Sequence, residues 1–269
     1  MLPGSITPFY FGRPDKALFG CFHEPRSGAR RFCGVVVSPP VGHEYVNSHR
    51  ALRQLAALLA NAGFPVLRFD YYGCGDSSGE EDEASLSQWV EDTSMAVSEV
   101  RRRGNLGPVC LIGLRLGGTI AMMVARAQND LAGLVLWDPV TNGREFLETV
   151  LSLQKQRMRF RRKPKRCKDV SSTTTDLLGF ALNHSLRDSL EEIDMSTASP
   201  SAVEKVLIIK NDRQNGGESL PKDLIQLGAL ADYEHLSAPK IWEGTPEGTL
   251  LVPNQVLRSI VSWMVNKFP

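Results

Sequence analysis

The segment VCLIGLRLGG, residues 109–118, constrains the fold more than any other part of the chain. Its first four residues are apolar and read as a buried strand, and the glycine-rich turn after them opens the apolar run TIAMMVARA. Gly113, Gly117 and Gly118 would let the strand and the following helix pass at close range. We therefore predict a strand–turn–helix unit that holds Arg115 at its top, in a strained left-handed backbone conformation.

Short apolar runs alternate with longer amphipathic ones along the rest of the chain. This order is typical of β-α units stacked around a mostly parallel sheet. An antiparallel edge pair is expected from ITPFYFG and ALFGCFHEP near the N-terminus. We predict an N-cap at Asn47 or Ser48, a helix stop at Gly63 and a serine cap at residue 85. The predicted strands are 33–39, 65–70, 108–112, 131–137, 204–210 and 239–242, and the predicted helices are 47–63, 85–104, 116–128 and 252–268.

The connection between the strands predicted at 131–137 and 204–210 is unusually long. It has about 65 residues, far more than a βα connection of about 2 to 6 residues plus one helix requires. We interpret it as an inserted lid, so that the core has two parts, residues 1–142 and 201–269, and the lid covers residues 143–200. Within it, residues 155–168 hold nine basic side chains and no acidic one. The oppositely charged segment of the chain is the acidic run EEDE at 80–83.

Composition excludes several classes of function. A hydrophobic content of 42% suffices for one sizeable core, and a net charge of +1 argues against a dedicated nucleic-acid binder. No stretch approaches the roughly 20 apolar residues that span a bilayer, and the N-terminus lacks the pattern of a secretory signal, so we predict a cytoplasmic protein. Five cysteines form no C-x-x-C pair and the five histidines are scattered, so we expect no metal and no cofactor.

Three segments carry a resemblance to a known family: residues 39–79, which end in FDYYGCGDSSG, then GLRLGG and LVLWDPV. The chain resembles the α/β-hydrolase superfamily in its serine aminopeptidase and monoacylglycerol-lipase-like branch, and in particular the hydrolase-like proteins associated with exosortase A systems. The resemblance is strong over residues 15–140 and architectural over 200–269. It implies an α/β-hydrolase fold, with a mostly parallel central sheet, helices on both faces and an inserted helical lid.

In that family the turn GLRLGG is the nucleophile elbow and its central residue is a serine. Arg115 is always protonated and cannot act as a nucleophile. The resemblance places the triad acid at Asp138 or Asp212 and the histidine between the last strand and the last helix. Residues 241–256 contain no histidine, and His235 precedes the strand predicted at 239–242. We therefore predict a non-hydrolytic protein that binds an anionic or acyl-type small molecule.

Arg115 has two interpretations. It is an anion anchor at a helix N-terminus, or it forms a structural ion pair with Asp138, Glu44 or Glu243. Both require a partly buried guanidinium in contact with a carboxylate. The candidate substrate-binding residues are Arg115, Leu116, Val41, His43, Glu44 and Asp138.

Two other functions stay open. The first is ester or thioester hydrolysis with Cys74 and His43 as thiol and base, or with water oriented by Asp138 or Asp212. In the simpler alternative, Cys74 fits the tight GCGD turn, His43 lines the oxyanion loop and Asp212 forms a turn. The second function is that of an accessory scaffold whose basic lid docks on an acidic protein.

Overall fold

The computed structural model describes residues 5–26, 30–160, 174–195, 203–211, 231–244 and 251–269. Strands of the main sheet are β1 Ile6–Arg13, β2 Lys16–His23, β3 Gly34–Ser38, β4 Val66–Phe69, β5 Val109–Leu114, β6 Gly133–Trp137, β9 Val206–Lys210 and β10 Ala231–His235. A separate hairpin contains β7 Thr174–Leu177 and β8 Phe180–Asn183. The helices are α1 Gly42–Asn61, α2 Leu86–Gly104, α3 Leu116–Ala127, α4 Gly143–Phe160, α5 His184–Glu191 and α6 Asn254–Lys267.

The main sheet has eight strands in the order β1-β2-β4-β3-β5-β6-β9-β10. The first two strands pair antiparallel, as the sequence predicts, and β2 joins β4 antiparallel. All other pairings are parallel. The C-terminal ends of the parallel strands therefore meet at one edge of the sheet, where α/β folds place their ligand sites.

Helices cover both faces of the sheet. On one face, Leu111 of β5 packs in a cluster with Trp89 of α2 and Ile120 of α3. On the other face, Ile112 joins a cluster with residues of α1 and α6, such as Leu257. Strands β3, β5 and β6 are buried along their whole length because each face has a helix layer, which explains their continuous apolar runs. The predicted α/β-hydrolase fold is confirmed.

The start of α1 differs from the prediction. The helix begins at Gly42 with Val41 as its N-cap and without a side-chain cap, so the expected cap at Asn47 or Ser48 is wrong. Those two side chains serve inside the helix: Asn47 donates to the carbonyl of Trp242, and Ser48 donates to the carbonyl of Glu44. The tertiary contacts of the first turn outweigh the local capping signal. The serine cap of α2 at Ser85 is confirmed, because its side chain accepts from the Gln88 N–H.

The last strand also differs. The run predicted as a strand at 239–242 ends in a turn, where Ile241 and Trp242 are buried against the α1 and α6 side of the sheet. The strand is β10, eight residues earlier, a polar and half-exposed edge strand with no apolar run to reveal it. His235 therefore ends the last strand instead of preceding it, opposite Lys210 of β9, and its side chain is exposed.

The segment between β6 and β9, residues 143–200, is called the insertion below. Its described parts contain α4, α5 and the β7-β8 hairpin, which the sequence did not predict. The hairpin is held by the acidic stretch: Glu81 Oε2 accepts from the Ala181 N–H at 3.0 Å, and Asn183 donates to the Asp82 carbonyl at 2.8 Å. Most of the basic run 155–168 lies outside the described residues, and so does Asp212. No helix in the described ranges is long and apolar enough to cross a bilayer.

Candidate functional site

The turn between β5 and α3 has the geometry of a nucleophile elbow. Arg115 has φ 55° and ψ −124°, a conformation that costs a non-glycine residue about 1–3 kcal/mol. A Cβ on Gly117 would lie 2.3 Å from the carbonyl oxygens of Ser38 and Pro39, and one on Gly113 would lie 2.4 Å from the Gly117 oxygen. The strand, the helix and the loop after β3 therefore approach as closely as the glycine pattern predicts.

Arg115 is held by its surroundings. Its Nε donates to Glu44 Oε1 at 3.1 Å and its Nη1 donates to the Asp138 carbonyl at 3.3 Å. The guanidinium carbon lies 5.0 Å from the centre of the Trp242 ring and 5.9 Å from that of Phe146, within the range of cation–π attraction. The side chain is 18% exposed. It is thus partly buried and ion-paired, as both interpretations of Arg115 require.

Glu44 is the acidic partner in this pair. It lies in the first turn of α1, directly after the loop that leaves β3, and its side chain is 4% exposed. Burial raises the pKa of its carboxyl, and the adjacent Arg115 guanidinium opposes that rise. Within the described ranges Oε2 has no hydrogen-bond partner. The charge of Arg115 is therefore neutralised by a carboxylate that itself has one free acceptor.

The other two carboxylates expected near Arg115 have different partners. Asp138, at φ 44° after β6, accepts the Asn211 N–H on Oδ2 at 3.0 Å, and its Oδ1 lies 3.8 Å from Lys210 Nζ. Burial raises the pKa of this carboxyl, while Lys210 lowers it. Only the backbone carbonyl of Asp138 meets Arg115. Glu243 forms an exposed ion pair with Lys240 at 3.7 Å.

An apolar pocket lies between the sheet edge and the insertion, with a volume of about 100 Å³. Core and insertion both supply its walls: Val41, His43, Tyr71, Cys74 and Trp89 on one side, and Phe146, Leu147, Val150, Leu177, Phe180, Leu182, Leu186 and Leu190 on the other. Phe146 joins the pocket to the elbow, since its ring also faces Arg115.

The predicted substrate-binding residues are divided between two places. Val41 and His43 line the apolar pocket. Arg115, Glu44 and Asp138 form the polar cluster at the elbow, next to the pocket but not among its lining residues. Leu116 is fully buried in the core, on the α2 and α3 side of the sheet.

Cys74 and His43 line the same pocket in unreactive protonation states. Burial raises the pKa of the Cys74 thiol to about 12. Burial and, to a smaller extent, the positive charges of Arg157 and Arg115 lower the pKa of His43 to about 4. A thiol activated by histidine needs the opposite shifts, toward thiolate and imidazolium. The other route, water oriented by a carboxylate, stays a prediction: Asp138 is buried beside the elbow, and Asp212 lies outside the described residues. The described residues contain no group of three or more ligands placed to hold a metal ion.

Two site residues were missed from the sequence. Trp242 and Phe146 flank the Arg115 guanidinium from segments about 127 and 31 residues further along the chain, distances that pattern analysis does not bridge. The available signal was the run IWEG, where a tryptophan follows the last strand at the edge that carries the site.

The family model for serine aminopeptidase S33 matches residues 40–190, which include the elbow and most of the insertion. This range is more than half of the chain. The chain belongs to the serine aminopeptidase S33 family. In this S33 member the matched range includes Arg115 at the tip of the elbow.

Two human proteins are similar to part of the S33 chain. Protein ABHD12B is 34% identical over 99 residues, which are 35% of this chain and 26% of that protein. Palmitoyl-protein thioesterase ABHD10, mitochondrial, is 31% identical over 86 residues, which are 32% of this chain and 26% of that protein. Each match thus spans about a quarter of the relative's length.

Solved structures share the fold of this S33 chain over nearly its whole length. Est1E from Butyrivibrio proteoclasticus, with ferulic acid bound, has a TM-score of 0.69 at 15% identity and covers 96% of this chain and 98% of its own. Alpha/beta hydrolase domain-containing protein 10 from mouse has a TM-score of 0.56 at 16% identity, with 97% and 99% covered. At these identities the likeness concerns the fold alone.

Proposed function

We propose that this S33-family chain is a non-hydrolytic α/β-hydrolase-fold protein that binds an acyl-type small molecule, with the acyl part in the apolar pocket. The observation that carries the proposal is Arg115 at the elbow, with its Nε bound to buried Glu44. A guanidinium there occupies the position from which a serine would attack, and it cannot itself attack a carbonyl.

The histidine and the thiol route have no support among the described residues. The sequence has no histidine in residues 241–256, and His235 is exposed at the end of β10. The Cys74 thiol and the His43 imidazole are both neutral near pH 7, because burial disfavours their charged forms. Loss of nucleophile and base together removes proton transfer and the covalent step, which supply much of the rate enhancement.

The pocket supports an acyl ligand more directly than a small anion. Its walls are mostly aliphatic and aromatic side chains, and Phe146 leads from them to the elbow. Arg115 is already neutralised by Glu44, which favours its structural interpretation. The ABHD10 relative is by name a palmitoyl-protein thioesterase, a protein that acts on an acyl group.

In this proposal the insertion acts as a lid over a core formed by residues 1–142 and 201–269. Nine of the 23 residues that line the pocket belong to it. The ligand would enter between the lid and the sheet edge. Docking of the basic run 155–168 on an acidic protein partner is part of the scaffold alternative. The cytoplasmic location also remains a prediction.

The test has a turnover arm and a binding arm. Wild type, Arg115→Ser and Cys74→Ala are assayed with p-nitrophenyl esters from acetate to dodecanoate and with acyl-CoA thioesters. We expect wild type and Cys74→Ala to match the uncatalysed rate. Enzyme-like turnover by wild type would overturn the non-hydrolytic proposal, and its loss in Cys74→Ala would assign the reaction to the thiol route.

The binding arm measures displacement of a fluorescent fatty acid. Val150→Phe fills the pocket from α4, and we expect it to weaken binding about tenfold, equivalent to about 1.4 kcal/mol. Val46→Phe is the matched control, because Val46 is 56% exposed on α1 and does not line the pocket. Equal affinity in wild type and Val150→Phe would contradict the assigned pocket. Absence of any fatty-acid binding would favour the scaffold alternative.

A further inference from the structure

A second cavity of about 350 Å³ lies between α1 and strands β1, β2 and β4. Pro39, Tyr45 and Asp70 line both this cavity and the apolar pocket. The hydrogen bond from Tyr45 to Asp70, 2.7 Å long, therefore stands between the two. The second cavity is larger, more polar and contains none of the elbow residues.

Arg68 of β4 faces this cavity with an unbalanced charge. Its Nε donates to His23 Nε2 at 3.1 Å. His23 is almost fully buried, and burial with the nearby Arg68 lowers its pKa to about 4, so it is a neutral acceptor near pH 7. No carboxylate forms an ion pair with Arg68 in the described parts of the chain. A guanidinium largely removed from water without a counter-ion is costly.

A second cation adds to the first. Arg53 of α1 lines the same cavity, and its side chain is exposed. On His49, a third basic side chain of the cavity wall, burial and then Arg68 lower the pKa, Asp70 raises it, and Arg53 lowers it by a smaller amount. The positive charges of these two arginines thus act on the same space.

Two carboxylates also line the cavity. Both oxygens of Asp70 are engaged, Oδ1 by the Tyr45 hydroxyl and Oδ2 by the Asp76 N–H at 3.1 Å. Asp76 itself is exposed to solvent. Arg53 weakens the charged form of Arg68 more than Asp70 supports it. Asp70 therefore compensates the charge of Arg68 only in part, and neither carboxylate forms an ion pair with it in the described residues.

We propose that this cavity is a binding site for a small organic anion, a carboxylate or a phosphate monoester. Arg68 and Arg53 hold the charged group, and Phe19, Leu52 and Phe69 contact an apolar body. A guanidinium can donate two parallel hydrogen bonds to the two oxygens of a carboxylate or to two oxygens of a phosphate. The site does not depend on the proposed function of the elbow and the apolar pocket.

The test titrates the full chain with benzoate, phenyl phosphate and inorganic phosphate by calorimetry. We expect saturable binding of benzoate or phenyl phosphate, and weaker binding of inorganic phosphate, which lacks the apolar body. Binding of one organic probe but not the other distinguishes the carboxylate from the phosphate monoester. Failure of all three probes to bind to wild type would overturn the proposal.

Variants assign the binding to the two arginines. Arg53→Gln, at an exposed position that folding tolerates, should weaken binding about tenfold, and Arg68→Met should abolish it. Arg50→Gln is the matched control, an exposed arginine of the same helix that does not line the cavity. Unchanged affinity in Arg53→Gln and in folded Arg68→Met would overturn the site.

A spectroscopic readout covers the case in which Arg68→Met does not fold. A bound anion beside His49 stabilises its imidazolium, so the pKa of His49, followed by NMR in wild type, should rise when the organic probe is added. The same probe should leave His184, an exposed histidine on α5, unaffected. Equal behaviour of the two histidines would contradict the proposed location.

Discussion

Two arginines of the central sheet have opposite surroundings. Arg115, after β5, has a buried carboxylate, a backbone carbonyl and two aromatic rings as partners. Arg68, on β4, has a neutral histidine and a neighbouring cation. The charge at the elbow is thus paired within the fold, whereas Arg68 has no ion-pair partner in the described residues, where the proposed anion would supply the counter-charge. The arginine at the elbow is therefore the weaker candidate for binding an external anion.

The titratable groups beside the two arginines also differ. At the elbow, burial raises the pKa of Glu44 and so favours the neutral acid. Beside Arg68, burial lowers the pKa of His23 and so favours the neutral imidazole. A carboxyl with a raised pKa loses stabilisation as the pH rises, and an imidazole with a lowered pKa loses it as the pH falls. The two regions should therefore limit stability from opposite sides of the pH range.

The largest expected effect is that of Arg115→Met. Removing one partner of a buried ion pair leaves Glu44 buried alone, which should lower the free energy of unfolding by about 3 kcal/mol at neutral pH. The loss should grow as the pH rises, because the folded variant retains a proton on Glu44 that the unfolded chain releases. Urea unfolding across the pH range measures both.

The double variant Arg115→Met with Glu44→Gln is the control for this prediction. It removes the orphaned charge, so it should recover most of the lost stability and its pH dependence. If the single and double variants unfold at the same urea concentration, the ion pair does not explain the role of Arg115.

His23→Gln should have an intermediate effect that depends on pH. In wild type the pKa of His23 in the folded state is about 4, below the ordinary 6.5. The stability that neutral His23 contributes is therefore complete above pH 6.5 and is lost as the pH falls toward 4. Glutamine keeps an acceptor for Arg68 but does not titrate. Between pH 6.5 and pH 4, the free energy of unfolding should therefore fall by about 2 kcal/mol less in the variant than in wild type.

Thermal unfolding between these two pH values provides the measurement, with His184→Gln on the surface of α5 as the control. His43, whose pKa is also lowered to about 4, remains in both proteins and leaves part of the acid sensitivity in place. Identical pH profiles for wild type and His23→Gln would contradict the assigned role of His23.

The smallest expected effect is that of Arg68→Met on stability. This substitution removes a largely buried charge that has no carboxylate partner in the described residues and keeps most of the side-chain volume. The free energy of unfolding should stay within about 1 kcal/mol of wild type or increase. A loss as large as that of Arg115→Met would show that Arg68 is satisfied within the fold, and would remove the contrast between the two arginines.

Local sequence patterns predicted most of the fold. The glycines of GLRLGG produced the elbow, because they permit backbone approaches that a Cβ would block, as at Gly117. Buried strands such as β3 and β5 followed from short apolar runs. The errors fell on β10 and on the β7-β8 hairpin, whose residues are only partly buried, so that hydrophobic periodicity gave no signal there.

The candidate site was predicted less completely than the fold. The sequence placed three carboxylates near Arg115 without distinguishing them. Glu44 is the partner because α1 begins at Gly42 and carries its first turn over the elbow, five residues before the helix start that the capping signal predicted. That Arg68 has no ion-pair partner among the described residues had no sequence signal, since it depends on residues of β2, α1 and the loop after β4.

The sequence by itself determined that an arginine stands within the glycine-rich turn GLRLGG and that residues 241–256 hold no histidine. These are matters of residue identity within short segments whose backbone geometry is local. The tertiary structure alone decided that Arg115 meets Glu44, 71 positions away, and that the insertion supplies nine of the 23 residues that line the apolar pocket. It also decided that Arg68 faces a cavity with a neutral histidine. Ion pairing and burial depend on distances between segments far apart in the chain, which no local pattern encodes.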